Sequence, residues 1–203
     1  ANTPRGPRRG PLVAPGGDAN RVAATVKRIG LLGGTFDPVH NAHVALARVA
    51  LDSLALDQVC WVPTGESWQK TRPITSSAHR IAMLQLAMAG EPRFVLERCE
   101  IERAGPSYTI DTVRELRRRD PDAQWFLIVG QDQLTNLPTW QAWKDLLSLV
   151  KLAVAARPGA APTVDPQILG HIYQVLPLGP MEVSATAIRE RREPNASVAR
   201  VLP

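Results

Sequence analysis

The sequence predicts an α/β fold: a doubly wound, mostly parallel, Rossmann-like sheet of five or six strands in a single domain. Three observations carry this. The runs Ile29–Leu32, Trp125–Val129 and Leu152–Ala155 are almost continuously apolar, as strands covered on both faces are. Segments with helical spacing of apolar residues alternate with such runs along the chain. Chemically capable residues recur directly after strands, where ligands bind in open α/β sheets.

Taken in order, residues 1–26 are rich in Pro, Gly and Arg without periodicity, which predicts a flexible basic leader. A single folded domain is expected over 27–203. Its first strand covers about 27–32 and its first helix about 41–55. Gln58–Val62 is a second strand ended by Pro63, followed by a polar loop to about Ser76. Ser76 or Ser77 can cap the next helix, and Gly90 stops it. Arg93–Leu96 is a third strand, and Cys99–Tyr108 an irregular charged loop. A helix from about Thr109 to Arg119 stops before Asp120-Pro121. The strand Trp125–Val129 closes on Gly130. Helical pieces cover about 131–136 and 140–149, interrupted near Pro138. Leu152–Ala155 is a strand ended by Arg157-Pro158-Gly159, Ile172–Leu176 is the last strand, and Ser184 opens a last helix.

The 203 residues suit one domain with a real core; 44% hydrophobic and 21% charged content is ordinary for a globular chain. No apolar run has membrane-spanning length. The net charge of +5 invites a nucleic-acid reading, but its distribution argues against one. Six of the 24 basic and one of the 19 acidic residues fall in 1–28, leaving 18 of each for the remainder. The basic excess belongs to the leader, so no nucleic acid and no membrane partner is expected. Cys60 and Cys99 have no metal-type spacing and read as free thiols of a cytoplasmic protein.

The stretch Gly33-Gly34-Thr35-Phe36-Asp37-Pro38-Val39-His40-Asn41-Ala42-His43 organises the chain. A strand ends in two glycines, which let a ligand approach backbone closely. A helix then opens, and its N-terminal N–H groups suit phosphate. His40 and His43 share one face of that first turn and can stabilise charge at a reacting phosphorus. The bland alternative is a tight turn with two surface histidines. Other post-strand segments converge on the same edge: Pro63–Lys70, Gly130-Gln131-Asp132, Arg157 and Ser184.

This stretch, together with Val183-Ser184-Ala185-Thr186-Ala187-Ile188-Arg189, resembles the paired motifs of the HxGH nucleotidyltransferase superfamily. Pro63–Lys70, His79-Arg80-Ile81-Ala82-Met83-Leu84, Gly105–Thr112 (PSYT), Gly130-Gln131-Asp132 with Leu137-Pro138-Thr139-Trp140 (PTW), and Ala156–Gly159 (RPG) follow in the family's order. The pattern is similar to that of bacterial nicotinate-nucleotide adenylyltransferases. The resemblance implies transfer of AMP from ATP to nicotinate mononucleotide, giving deamido-NAD and pyrophosphate in NAD biosynthesis. The two substrates are the implied partners, with Mg²⁺ arriving on ATP and no dedicated metal site. His40, His43 and Arg189 are the implied catalytic residues. Gly33, Gly34, Thr35, Phe36, Asp132, Arg157, Ser184 and Thr186 join them in binding ATP. Lys70, Tyr108, Thr109 and Trp140 are the implied acceptor-binding residues, although Trp140 also reads as core. Two positions depart from the family pattern: Ala42 stands for a usual Gly and Gln69 for a common His. After Arg189 the sequence also lacks the family's aromatic-rich continuation. Rival readings are an adenylyltransferase for nicotinamide mononucleotide or a phosphopantetheine, and a nucleotide-binding module without catalysis.

Overall fold

The computed structural model describes residues 25–65, 74–156, 161–162 and 164–179. Six strands form one sheet in the order β3-β2-β1-β4-β5-β6, every neighbouring pair parallel. In chain order these are β1 (Arg28–Gly34), β2 (Gln58–Pro63), β3 (Phe94–Leu96), β4 (Gln124–Gly130), β5 (Lys151–Ala156) and β6 (Ile172–Pro177). The expected doubly wound sheet is therefore present, entirely parallel among the described residues. Strand order reverses between β1 and β4, which opens a crevice beyond their carboxyl ends.

Alternation of side chains along each strand builds two cores. Ile29, Leu31, Cys60, Val62, Trp125, Leu127, Val129, Leu152 and Val154 point to one face. Leu32, Val59, Trp61, Phe126, Ile128, Ala153 and Ala155 point to the other. The first face is covered by α4 (Thr109–Arg119), through Ile110, Val113 and Leu116, and by α6 (Trp143–Leu149), through Leu146 and Leu147. The second is covered by α1 (Asn41–Ser53), through Val44, Ala47, Ala50 and Leu51, and by α2 (Ser77–Met88), through Leu84 and Met88. Both cysteines are buried and free. Among the described residues no helix is long and apolar enough to cross a membrane.

Ser76 is the cap of α2, its side chain accepting from the His79 N–H. The charged loop expected at 99–108 contains a short helix, α3 (Cys99–Glu102). It starts where Glu97 Oε1 accepts the Cys99 N–H at 2.9 Å, a local bond that apolar periodicity does not register. The helical stretch after β4 divides into α5 (Gln131–Asn136), a 3₁₀ turn at Leu137–Thr139 and α6. Pro138 sits in the 3₁₀ turn, where its missing N–H costs nothing. Before β6 lies a four-residue helix, α7 (Pro166–Leu169), capped by Asp165. The helix expected from Ser184 lies outside the described residues, as do Lys70, Arg157, Thr186 and Arg189.

β2 runs into Gly65, which lies against α3. A Cβ on Gly65 would stand 2.1 Å from the Glu100 carbonyl oxygen, so the β2–α3 contact requires glycine. Gly65→Ala is expected to cost about 2 kcal/mol through overpacking. That corresponds to a fall of roughly 4–8 °C in Tm for a domain of this size. A Tm within 1 °C of wild type by differential scanning calorimetry, against which precision the ~4 °C minimum is judged, would show that α3 yields freely.

Candidate active site

The site begins where β1 ends. Gly33 and Gly34 finish the strand, and the Gly34 carbonyl accepts the Thr64 N–H at 2.9 Å. This bond ties the ends of β1 and β2 together. Phe36 then adopts a left-handed backbone with φ 48° and buries its ring, leaving 2% exposed. The chain turns through Asp37–Val39, and α1 starts with His40 as its N-cap residue.

The two histidines form a unit. Their rings stack with centroids 3.7 Å apart. The His40 backbone N–H donates to His43 Nδ1 at 3.2 Å. A neutral His43 ring accepting at Nδ1 carries its proton on Nε2. The Phe36 ring meets His43 edge-on at 5.1 Å. His40 is itself buried, and its Nδ1 has no hydrogen-bond partner among the described residues. Burial pushes the His40 imidazole from its ordinary 6.5 down to about 4. Burial, with nearby His40 as a second cause, pushes His43 down to about 3. At neutral pH both rings are uncharged donors.

Beyond the strand ends lies a cavity of about 360 Å³. Gly33, Gly34 and Thr35 form one wall; Tyr108 and Thr109 at the start of α4 form another, with Trp140 and Gln141 alongside. Trp140 ends the 3₁₀ turn, its N–H donating to the Leu137 carbonyl. It is half-buried, packing on the core while it lines the cavity. Asp132 is exposed on the first turn of α5 and is not among the residues lining the cavity. The post-strand segments of β1, β2 and β4 thus meet at one crevice.

Several contributors had no role assigned from sequence. Arg80 is 2% exposed. Its guanidinium donates to the carbonyls of Thr75 (3.0 Å), Thr35 (3.0 Å) and Thr64 (2.8 Å). It thereby fixes two cavity-lining threonines from behind, and the His79-Arg80 motif on α2 was its only signal. Asp37 Oδ2 accepts the Thr75 N–H at 3.2 Å. Glu100, Ser107 and Thr112 line the cavity; Ser107 and Thr112 were visible only as parts of the PSYT stretch, and Glu100 only as one acid in a charged run. Among the described residues no group of three or more His, Cys, Asp or Glu is arranged to hold a metal.

A doubly wound sheet with a Gly-Gly strand end, a histidine pair on a helix N-terminus and a cavity at the strand-order switch defines a nucleotide-handling protein of the nucleotidyltransferase class. Residues 31–191 match the cytidylyltransferase-like family. A probable nicotinate-nucleotide adenylyltransferase of Methylibium petroleiphilum is 46% identical over 89% of this chain and 86% of its own. One of Bordetella petrii is 47% identical over 88% of this chain and 93% of its own. The fold also matches that of Plasmodium falciparum nicotinic acid mononucleotide adenylyltransferase complexed with NaAD, with a TM-score of 0.67 at 17% identity over 85% of this chain and 87% of that one. The chain belongs to the nicotinate-nucleotide adenylyltransferase family.

The lowered histidine pKa values have a consequence for stability. The unfolded chain takes up protons near pH 6.5, whereas the folded site resists them until about pH 4 at His40 and about pH 3 at His43. Stability from this source is complete above pH 6.5 and is lost as pH falls toward those values. Burial raises the Glu100 carboxyl, which acts in the opposite sense, so the comparison must isolate the histidines. Tm measured from pH 7.5 to 5 is expected to fall more steeply in wild type than in the His40→Asn/His43→Asn double variant. Parallel curves would mean the imidazoles are not held neutral by the fold.

Proposed function

We propose that this protein transfers the AMP moiety of ATP to nicotinate mononucleotide, releasing pyrophosphate and forming deamido-NAD, in the cytoplasm. The observation that carries this reading is the cavity itself. It joins a phosphate-type strand end to an aromatic, donor-lined wall at the start of α4.

The acceptor's 5′-phosphate attacks the α-phosphorus of ATP: a P–O bond forms there as the bond to the β-phosphate bridging oxygen breaks. The nucleophile is already anionic, so catalysis reduces to in-line positioning and charge stabilisation. The Gly33–Thr35 backbone approaches the triphosphate. His43, with its proton on Nε2, and His40 donate to phosphate oxygens as charge develops. With its ring buried, Phe36 contributes backbone rather than ring to the nucleotide site. Asp132 meets the adenosine ribose only if the nucleotide extends past the cavity onto the first turn of α5. The same family motifs assign Arg157, Ser184, Thr186 and Arg189 to the ATP phosphates, Arg189 as a planar fork, and Lys70 to the acceptor. Mg²⁺ carried on ATP would neutralise phosphate charge. At the other end, Trp140 offers a face to the pyridine ring. The N-terminus of α4 at Tyr108-Thr109 favours the ring's carboxylate.

Pyrophosphate release measured separately with nicotinate mononucleotide, nicotinamide mononucleotide and 4′-phosphopantetheine is expected to be fastest with the first. Equal or faster turnover with another acceptor would reassign the substrate, and ATP binding without turnover on any would make the protein a binding module. His43→Asn is expected to lower kcat on the order of 10²–10³-fold, as loss of one oxyanion donor does. Unchanged kcat in that variant would remove His43 from the reaction.

A further inference from the structure

We infer that Glu100 and Arg103 form a bracket behind the acceptor-binding turn, and that its charge balance sets the preference for a carboxylate over a carboxamide on the acceptor ring. The inference rests on the adenylyl-transfer reading above and identifies two residues to which no role has been assigned.

The first observation is geometric. Ser107 and Thr112 stand on either side of Tyr108-Thr109, and both are buried. Arg103 Nη1 donates to Ser107 Oγ at 3.3 Å and to Thr112 Oγ1 at 3.2 Å. The two hydroxyls pass their protons on to Glu100. Ser107 Oγ donates to the Glu100 carbonyl at 3.4 Å, and Thr112 Oγ1 to Glu100 Oε1 at 2.8 Å. Two residues from α3 and its C-cap therefore each hold both sides of the turn. Arg103 Nη2 also binds Glu115 Oε2 at 2.6 Å, one helical turn beyond Thr112. The α4 N-terminus is thus fixed in place relative to the cavity.

The second observation is electrostatic. Among the described residues lining the cavity, Glu100 is the only acidic or basic one. An acceptor carrying a carboxylate would approach the α4 N-terminus beside that carboxyl, an arrangement that costs free energy unless the charge is offset. Arg103 supplies the offset from directly behind the wall, with Thr112 between them. Burial pushes the Glu100 carboxyl up, while Thr112 and Arg103 pull it down, so the balance is sensitive to either partner. A neutral carboxamide feels little of this field. Removing the positive member therefore penalises the carboxylate selectively, and neutralising the negative member favours it. A bracket that merely held the turn in place would lose both acceptors together in either variant.

The test is kcat/KM for nicotinate mononucleotide relative to nicotinamide mononucleotide, at saturating ATP, in the full chain and in E100Q, R103M and R103K. E100Q retains the acceptor for the Thr112 hydroxyl; R103K retains charge without the fork. The nicotinate-to-nicotinamide ratio is expected to fall about tenfold or more in R103M and to rise several-fold in E100Q, with KM for ATP within about twofold of wild type, since selectivity follows differential binding. A ratio that stays constant, or moves in the same direction in both variants, overturns the inference while leaving the adenylyl-transfer reading intact. If R103M fails to bind ATP, the test is read from E100Q and R103K: the ratio is expected to rise several-fold in E100Q and to stay within about twofold of wild type in R103K, which keeps the charge without bridging Ser107 and Thr112, and a fall of about tenfold in R103K overturns the inference. Wild-type protein that turns over neither acceptor overturns the underlying reading and the bracket's role with it.

Discussion

The inward turn of Phe36 is the interaction on which the site depends. Its ring lies where a Gly34 Cβ would come within 3.2 Å, 5.5 Å from the Trp61 ring and 5.1 Å from His43. Trp61 in turn meets Phe94 at 5.3 Å, which anchors the arrangement in β2 and β3. The left-handed backbone at Phe36 costs of order 1 kcal/mol or more. Burying the ring returns about 2–3 kcal/mol, so the strained turn is retained. Were the ring outside, α1 would not begin with His40 at its cap and His43 against an aromatic edge. Gly34 therefore leaves room for the side chain that shapes the turn.

Arg80 serves a matching purpose from the other side. Its three bonds to backbone carbonyls join the loop after β1, the end of β2 and the approach to α2. Burial lowers its pKa, and nearby Asp37 offsets this only in part. A buried guanidinium stripped of such partners would be strongly unfavourable; here each bond also immobilises a segment bordering the cavity. The crevice created by the reversal in strand order is thus held open by groups that do not themselves enter it.

The layout was legible because parallel strands covered on both faces must be apolar throughout. Ile29–Leu32, Trp125–Val129 and Leu152–Ala155 declare themselves, and glycine and histidine at a strand end announce phosphate chemistry. Hidden from sequence was everything made by side chains meeting across long separations. Arg80 reads as a helix residue until Thr35 and Thr64 come within reach. Glu100 reads as one acid in a charged run until Thr112 folds over it. α3 opens on the bond from the Cys99 N–H to Glu97 Oε1, which carries no periodic signal. Trp140 could not be divided between core and cavity because it packs on the one and lines the other.

The electrostatic design differs between the histidine turn and the α3–α4 wall of the cavity for a physical reason. At the histidine turn, the lowered pKa values leave two uncharged rings at a helix N-terminus, donors rather than stored positive charge. Two buried imidazolium ions stacked at 3.7 Å would repel one another strongly. Neutral rings can pack there, and an incoming polyanion raises their proton affinity only once it is bound. At the acceptor end the wall already holds ionic groups, Glu100 on the surface of the cavity and Arg103 behind it. Their partial cancellation leaves a small residual field, and a small field can separate two acceptors that differ only in the charge of one substituent. Bulk attraction for phosphate would not make that distinction, because both acceptors bear the same phosphate. On the proposed reading, discrimination therefore falls to the α3–α4 wall rather than to the histidine pair.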